Sequence, residues 1–224
     1  MPAAMKRRDF SALLATAPLA GATGLARAQG GPIEGRQYKT LAQPLPTTPG
    51  KIEVIEFFWY GCPHCYALDP SLEAWRKGLP ADVAFRRVHV GFHAVARLHQ
   101  RMFYALEVMG KEADVHDAIF KAFHVDRVDA SDDKAVIALM GKLGLDASKF
   151  TDAYNSFGVR TKSQQATKLS ESFNIDGVPA LGIGGRFLTS PGMAAGGQRL
   201  NEVELGQRAL AVTDFLIQRV RSKA

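Results

Sequence analysis

The sequence predicts an α/β fold in which a block of helices is inserted into one sheet-containing domain. A continuous run of β-branched and aromatic residues over 51–60 indicates a central strand that is buried on both faces. Helical periodicity dominates residues 94–174, and strand character returns in a hairpin over 179–189, before a last amphipathic helix over 201–220. One sheet fits this order, because the last helix can cover the sheet that the early strands begin.

The composition is that of an ordinary globular protein. Of the 224 residues, 46% are hydrophobic and 22% are charged, which excludes collagen-like, low-complexity and disordered polyelectrolyte chains. The formal net charge is +6, but four basic residues and one acidic residue lie within the first 28, and the remaining 24 basic and 21 acidic residues give only +3. Aromatic residues do not interleave with a basic stripe, so nucleic acid is not an expected partner.

The first 28 residues are typical of an export signal. Basic residues at 6–8 precede an apolar run rich in Ala and Gly over 11–25, and small residues at 26 and 28 suit a signal peptidase. The adjacent arginines and the weak hydrophobicity favour the twin-arginine route, with a general-export signal as the alternative. Because the apolar run is too short for a comfortable membrane span, we expect residues 1–28 to be removed and the rest to be a soluble periplasmic protein.

The elements before the helical block alternate between strand and helix. Residues 38–41 predict an edge strand or tail, 51–60 the central strand, and 83–90 a second strand. Glu56 places a charge inside the buried central strand, where a carboxylate is costly unless it is paired or protonated.

Helices account for most of the remaining prediction. Residues 62–78 predict a helix that Pro70 should kink, because proline removes a backbone donor. Glycines at 110, 144 and 158 punctuate the block that follows, as helix ends often require. The five helices predicted there are 94–109, 111–123, 131–143, 147–157 and 161–173.

The chain contains two cysteines, Cys62 and Cys65, separated by two residues. A structural disulfide gains most by closing a long loop, and this loop is too short to constrain much chain entropy. Two thiols alone cannot complete a structural zinc site, which needs four ligands. In an exported protein we therefore interpret the pair as chemically reactive.

The position of Cys62 directly after a strand and at a helix start has a consequence for its pKa. Unpaired backbone N–H groups and the positive end of the helix dipole favour the thiolate, so the pKa of Cys62 should fall. Pro63 suits the first turn, and His64 can add positive charge or a hydrogen bond near the sulfur. A stabilised thiolate makes the disulfide a stronger oxidant, with Cys65, one turn further, as the shielded resolving partner.

These residues resemble a known family. Residues 57–65 (FFWYGCPHC) resemble the active site of the DsbA thiol–disulfide oxidoreductases. Residues 176–180 (DGVPA) resemble that family's Gly-Val-Pro segment before a hairpin. The resemblance covers about 51–220, nearly the whole chain after the signal.

The resemblance implies a thioredoxin-like fold, a central mixed sheet flanked by helices, with an inserted all-helical domain. The thioredoxin-like domain would comprise residues 29–93 and 175–224, and the insertion residues 94–174. Val178-Pro179 would be a cis peptide bond that faces the two sulfurs. There the missing N–H of Pro179 keeps a donor away from sulfur, and the neighbouring backbone can bind an extended substrate.

Three further residues acquire expected roles from the resemblance. Glu56 would be the buried acid beneath the active site, which suggests proton handling near the second cysteine. Arg87 stands where the best-known members carry a lysine. Because arginine stays charged, we expect it to hold Glu56 ionised more firmly, which argues against proton shuttling through that pair. Gly61 replaces an aromatic residue often found before the first cysteine, which should reduce the apolar surface offered to substrates.

The function expected from these residues is donation of the Cys62–Cys65 disulfide to newly exported, reduced polypeptides. A substrate thiolate would attack Cys62, and Cys65 or a second substrate thiol would resolve the mixed disulfide. The resemblance implies reoxidation by a quinone-linked membrane partner of the DsbB type. No cofactor is expected, and the protein should be a monomer.

Alternative functions remain at this point. A disulfide isomerase would usually carry a dimerisation region, for which the roughly 22 residues between Gln29 and Lys51 are too few. A reductase would need a less stable thiolate. A different class is a Cys-X-X-Cys metal chaperone, since soft thiolates hold copper or zinc. His89, His93 and His99 match no metal-ligand spacing and are interpreted as core or surface residues, so no metal site is predicted.

Overall fold

The structure is a computed structural model in which residues 30–222 are described. The predicted export signal, residues 1–28, lies outside the described residues. Five strands in this part of the chain form one mixed sheet in the order β1-β5-β4-β2-β3. Strands β2 and β3 are parallel, and the other neighbouring pairs are antiparallel. The strands are β1 Lys39–Thr40, β2 Ile52–Phe58, β3 Val83–His89, β4 Ala180–Ile183 and β5 Phe187–Thr189.

Five of the described helices lie between β3 and β4, as the periodicity of the sequence predicts. Helix α1 connects β2 to β3, and two helices follow β5. Their bounds are α1 Pro63–Arg76, α2 Ala94–Val108, α3 Glu112–His124, α4 Asp133–Lys142, α5 Ala147–Asn155, α6 Phe157–Ser172, α7 Pro191–Ala194 and α8 Glu202–Arg221. Helix α1 continues through Pro70 to its last turn. None of the helices within residues 30–222 is both long enough and apolar enough to cross a membrane.

The central strand β2 is buried on both faces. Val54 belongs to an apolar cluster with side chains of α1 and α8. Ile55 and Phe57, whose side chains point the other way, belong to the larger cluster formed with the helical block. The continuous apolar run of β2 is therefore explained by two cores that meet at one strand, as the sequence predicts.

The boundary between α5 and α6 differs from the prediction. The predicted break at Gly158 is wrong, because Gly158 lies in the first turn of α6. Ser156 makes the break instead: its backbone is extended, and its hydroxyl accepts a hydrogen bond from the Val159 N–H at 3.2 Å. A serine N-cap satisfies a backbone donor that the helix itself leaves unpaired, so α6 begins earlier than a glycine-based prediction allows.

The end of the chain brings α8 back against the sheet. The hairpin turn uses Gly184 and Gly185, both with left-handed φ values of 58° and 59°, respectively. Helix α7 was not predicted; it is four residues long and is capped by the Ser190 hydroxyl. Helix α8 begins with a capping box in which Asn201 and Glu204 exchange side chain-to-backbone hydrogen bonds.

Candidate active site

The cysteine pair lies where the chain leaves β2 and enters α1. Cys62 has an extended backbone and is the N-cap residue of α1, with Pro63 at the first helical position. The Cys62 N–H donates to the Trp59 carbonyl at 2.9 Å, which closes the turn between strand and helix. This turn places the Cys62 sulfur at the amino-terminal end of the helix, where the first backbone N–H groups lack helical partners.

The environment of Cys62 favours its thiolate. A hydrogen bond from the Cys65 thiol is the largest cause, and burial of Cys62 opposes it. The backbone N–H groups of Cys65 and His64 and the charge of His64 also favour the anion, and together they lower the pKa of Cys62 to about 6. The lowered pKa that the sequence predicts is therefore present.

Cys65 has the opposite environment. It is fully buried, and burial raises its pKa well above the ordinary thiol value, with further increases from the Cys62 sulfur and the Glu56 charge. Both cysteines are free thiols in this structure, so the pair is in its reduced form. At neutral pH one sulfur of the pair carries the negative charge and the other keeps its proton.

His64 contributes to the site mainly through its backbone. Its imidazole is largely exposed, and Nδ1 lies 2.9 Å from Oε1 of Glu202 on α8. The hydrogen bond that His64 gives to the sulfur comes from its backbone N–H. Glu202 thus holds the ring at the rim of the site, between α1 and α8.

The Val178-Pro179 segment meets the first sulfur. The Cys62 sulfur lies 3.4 Å from the Val178 carbonyl oxygen, to which its protonated form donates. The Val178-Pro179 bond is cis, as the family resemblance predicts. An adjoining groove of about 270 Å³ is lined by residues from several elements, among them His64, Ile175, Pro179, Leu188, Met193 and Leu205.

Glu56 and Arg87 pair beneath the active site. They are direct neighbours in the parallel register of β2 and β3, and the Arg87 Nε donates to Glu56 Oε2 at 3.0 Å. Glu56 is only 1% exposed, and its burial outweighs the attraction of Arg87 and raises its pKa to about 7. The expectation that Arg87 keeps Glu56 firmly ionised is therefore wrong, because the cost of desolvating the carboxylate exceeds the stabilisation from the guanidinium.

A buried polar network that sequence reasoning missed continues from this pair. Arg87 Nη2 also donates to Asp69 at 3.0 Å and to Glu73 at 2.6 Å, both on α1. His116 of α3 hydrogen-bonds Asp69 at 3.0 Å through Nε2. Burial disfavours the charged form of His116, but hydrogen bonds to Asp69 and Glu112 outweigh it and raise its pKa to about 9. The buried side chains of Arg87 and His116 thus carry positive charge and are surrounded by the carboxyl groups of Glu56, Asp69, Glu73 and Glu112.

Comparison with known proteins identifies the family to which this site belongs. Residues 82–205 match the DSBA-like thioredoxin domain family. The chain is 37% identical to the thiol:disulfide interchange protein DsbA of Pseudomonas aeruginosa over 221 aligned residues. The alignment covers 98% of this chain and 99% of that protein. The chain belongs to the DsbA family.

Other relatives and solved structures agree. DsbA of Bordetella parapertussis is 41% identical over 194 residues, or 85% of this chain and 90% of that protein. The crystal structure of Pseudomonas aeruginosa DsbA superposes with a TM-score of 0.78 at 36% identity, covering 85% of this chain and 95% of that one. The crystal structure of DsbA from Xylella fastidiosa superposes with a TM-score of 0.75 at 28% identity, covering 85% of this chain and 98% of that one. This member of the DsbA family is a protein dithiol–disulfide oxidoreductase with a thioredoxin fold and a helical insertion.

The histidines near the site of this DsbA family member have structural partners. His89 is buried and hydrogen-bonds the Val90 carbonyl at 2.9 Å. His93 caps α2 by accepting from the Ala96 N–H. These contacts support the interpretation of both residues as structural.

One group within residues 30–222 has the spacing of metal ligands. Oxygen and nitrogen atoms of Asp69, His116 and Asp117 lie within 4.8 Å of one another. Asp69 already accepts hydrogen bonds from Arg87 and His116, and both of these partners are cationic. A metal cation would have to displace these partners, so the residues fit a charge network better than a metal site.

Trp59 covers Gly61 beside the active site. A Cβ atom on Gly61 would fall 2.6 Å from Cε2 of the Trp59 indole and closer still to Cζ2. The indole therefore occupies the space that a side chain at position 61 would need. The expected loss of apolar surface at Gly61 is offset, because Trp59 supplies an aromatic ring at the same place.

Proposed function

We propose that this oxidoreductase donates the Cys62–Cys65 disulfide to newly exported, reduced polypeptides. The observation that carries the proposal is the contrast between the two thiols. The pKa of Cys62 is lowered to about 6, whereas burial raises that of Cys65 well above its ordinary value. A pair that stabilises its reduced form in this way has a strongly oxidising disulfide.

The reaction consists of two exchanges. A substrate thiolate attacks the Cys62 sulfur, the Cys62–Cys65 bond breaks, and Cys65 leaves and takes up a proton. A second substrate thiolate then attacks the substrate sulfur of the mixed disulfide and expels Cys62 as its stable thiolate. Two substrate thiols have been oxidised to a disulfide, and the enzyme has gained the same two electrons. The low pKa of Cys62 makes it a good leaving group in the second exchange.

We propose that Glu56 is the group that gives a proton to Cys65. A carboxyl group with a pKa of about 7 is present in both protonation states near neutral pH. Its charge is one of the causes that raise the pKa of Cys65, so the two groups interact electrostatically. Glu56 can therefore give a proton to Cys65 as the disulfide opens and recover it from solvent afterwards.

Val178 and Pro179 are proposed to hold the substrate backbone. The Val178 carbonyl lies 3.4 Å from the Cys62 sulfur, close to where a substrate cysteine must arrive. Pro179 has no N–H and so adds no donor that competes for the sulfur. An extended substrate segment could pair with the backbone here while its side chains enter the adjoining groove.

The cellular setting follows from the same proposal. Residues 1–28 would direct export to the periplasm, by the twin-arginine route, and residues 94–174 would form the inserted helical domain of a monomer. After each turnover the dithiol must return to the disulfide, and a quinone-linked membrane partner of the DsbB type would accept its electrons. No cofactor bound to this chain is needed for these steps.

Cysteine variants test the proposed function. Oxidised enzyme is mixed with a reduced, unfolded polypeptide, and the loss of substrate thiols is followed together with the formation of mixed disulfides. We expect one substrate disulfide per enzyme, no oxidation by Cys62→Ser, and attack by substrate at Cys62 alone. Oxidation by Cys62→Ser at the normal rate would contradict the assignment of Cys62 as the attacked sulfur.

A further inference from the structure

We infer that the groove between α2 and α6, in the helical block, is a binding site for an extended acidic segment of a partner polypeptide. This α2–α6 groove shares no lining residue with the groove beside Pro179. Its occupant needs no cysteine, because recognition depends on charge and on the shape of an extended backbone. The inference therefore goes beyond disulfide donation and does not rest on it.

The α2–α6 groove lies where these two helices pack against each other. Its volume is about 610 Å³, more than twice that of the groove beside Pro179. Arg97 of α2 and Arg160, Gln164 and Lys168 of α6 line it and are exposed to solvent, so a ligand can enter without a rearrangement of the helices. A furrow between two packed helices is longer than it is wide, and it therefore suits an extended chain.

The lining of the α2–α6 groove is strongly basic. Arg97 and Arg101 on α2 and Arg160 and Lys168 on α6 face a single acidic residue, Glu171. This excess of three positive charges is as large as that of the whole chain after residue 28. Cations gathered in one groove repel one another, so an anionic ligand relieves that repulsion when it binds.

Three of these cations have no acidic partner in the described part of the chain. Within residues 30–222, no carboxylate oxygen lies within 4.0 Å of a charged nitrogen of Arg97, Arg160 or Lys168. Arg97 and Arg160 donate instead to backbone carbonyls, at 3.5 and 2.6 Å. A neutral carbonyl does not compensate a guanidinium charge, so the full attraction of these residues remains available to a ligand.

Arg101 adds an ordered donor on the α2 side of the groove. Its Nη2 donates to Asn155 Oδ1 at 3.0 Å, and its Nη1 lies 3.3 Å from Asp133 Oδ1. The guanidinium also lies over the Tyr154 ring, 3.9 Å from the centroid. Because a guanidinium has five N–H donors, others remain for a ligand, and a side chain already held in place loses little entropy on binding.

The spacing of the basic residues matches that of side chains on an extended chain. Arg97 and Arg101 are one helical turn apart, and Arg160, Gln164 and Lys168 follow at the same interval, so each row repeats about every 6 Å along its helix. Alternate side chains of an extended chain point to one side and lie about 6.6 Å apart. Carboxylates at every second position can therefore face successive positions of a row.

A polypeptide fits the α2–α6 groove better than an anionic membrane does. A lipid surface would rest on the ridges of the helices, whereas these cations line the furrow between them. A helix that lies in a membrane interface also presents a continuous apolar face. In α6, all of which is described, Phe157 in the first turn is the one strongly exposed large apolar side chain.

Binding of cysteine-free peptides tests the inference. A short labelled peptide with glutamate at every second position is added to the enzyme at low salt, and its fluorescence anisotropy is followed. Two matched peptides carry the same glutamates in one block, or glutamine in place of every glutamate. We expect the alternating peptide to bind about threefold more tightly than the block peptide and about tenfold more tightly than the glutamine peptide, as the gain of one or of several exposed ion pairs allows.

Charge-neutral variants assign the binding to the α2–α6 groove. Arg160→Gln and Lys168→Gln should each weaken binding of the alternating peptide about threefold, and the double variant about tenfold. Arg208→Gln is the matched control, because Arg208 is an exposed cation of α8 that donates to the neutral side chain of Gln198. It should leave binding unchanged. Equal losses in all three single variants, or no loss in the groove variants, would overturn the inference, since binding would then follow net charge alone.

Other anions distinguish the proposed occupant from its rivals. If vesicles containing phosphatidylglycerol bind through Arg160 and Lys168 and the alternating peptide does not, the groove faces a lipid surface and the inference is wrong. If inorganic phosphate displaces the peptide at constant ionic strength, the groove holds a small anion and the inference is also wrong. Oxidation of dithiothreitol by the same enzyme reports on the proposed function separately, because the peptides contain no cysteine.

Discussion

Glu56 accepts a hydrogen bond from Arg87 at 3.0 Å, and yet its pKa is raised to about 7. An ion pair at this distance would lower the pKa of an exposed carboxyl group. Here burial is the larger effect, and Arg87 also divides its charge between Asp69 and Glu73. The pair therefore holds a group that can exchange a proton at neutral pH beneath the cysteines.

Replacement of Glu56 by Gln should change how stability depends on pH. Below the unfolded pKa of about 4.3 the carboxyl is protonated in both states. Between that value and the folded pKa of about 7 only the unfolded state ionises, so stability is lost as pH rises, by at most about 1.4 kcal/mol per unit. The Glu56→Gln variant should not lose stability in this pH window for this reason, because glutamine does not ionise. Urea midpoints of both proteins across this window test it, and parallel curves would contradict a raised pKa.

The pKa of Cys62 should depend on the side chain at position 65. The hydrogen bond from Cys65 is the largest cause of the lowered pKa, so Cys65→Ala should raise the pKa of Cys62 from about 6 toward the ordinary thiol value. Cys65→Ser, whose hydroxyl can still donate, should raise it less. Thiolate absorbance in the ultraviolet, followed against pH, measures both. Equal values in the two variants would mean that the backbone N–H groups dominate instead.

The reduced enzyme should be more stable than the oxidised enzyme, by an amount that depends on pH. The folded pKa of Cys62, about 6, lies below the unfolded value of about 8.5. The stabilisation of the dithiol form is thus lost as pH falls through 6 and grows as pH rises toward 8.5. Above about pH 8.5 the raised pKa of Cys65 opposes any further gain in the stability of the reduced form. Denaturant midpoints of the two forms should diverge over this window, and a more stable disulfide form at neutral pH would contradict the account.

Pro179→Thr should cause mixed disulfides with exported proteins to accumulate. The substitution introduces an N–H next to the Val178 carbonyl, which the Cys62 thiol contacts at 3.4 Å. This donor changes the surroundings of the sulfur and adds a hydrogen bond to the bound substrate backbone, so release should slow. Non-reducing gels of cell extracts show the trapped complexes. Pro80→Thr, at an exposed proline between α1 and β3, is the matched control and should trap no more than the unmodified protein.

Local sequence patterns predict most of the elements because their causes are local. The apolar run of β2 and the periodicity of α2 to α6 depend on burial that recurs along the chain. The α5–α6 boundary was misplaced because serine and glycine both end helices, and only the backbone shows that Ser156 does so here. Glu56 could be singled out, since a charge inside a buried strand is anomalous in the sequence itself.

The ionisation state of Glu56 and its polar network were not predictable in the same way. The balance between burial and attraction to Arg87 depends on how completely the carboxyl is desolvated, which a sequence does not show. His116 reaches Asp69 across 47 positions of the chain, from another helix. One signal was present: Cys65, Asp69 and Glu73 recur every fourth residue on α1 and therefore share one face.

The reduction potential of the Cys62–Cys65 pair tests the central claim most directly. The purified protein is equilibrated with glutathione redox buffers at neutral pH, and the fraction of disulfide is measured at each ratio. The lowered pKa of Cys62 predicts a disulfide more oxidising than that of protein disulfide isomerase, whose potential is about −180 mV. A potential close to that of thioredoxin, about −270 mV, would contradict the account, because such a pair accepts electrons too weakly to act as a disulfide donor.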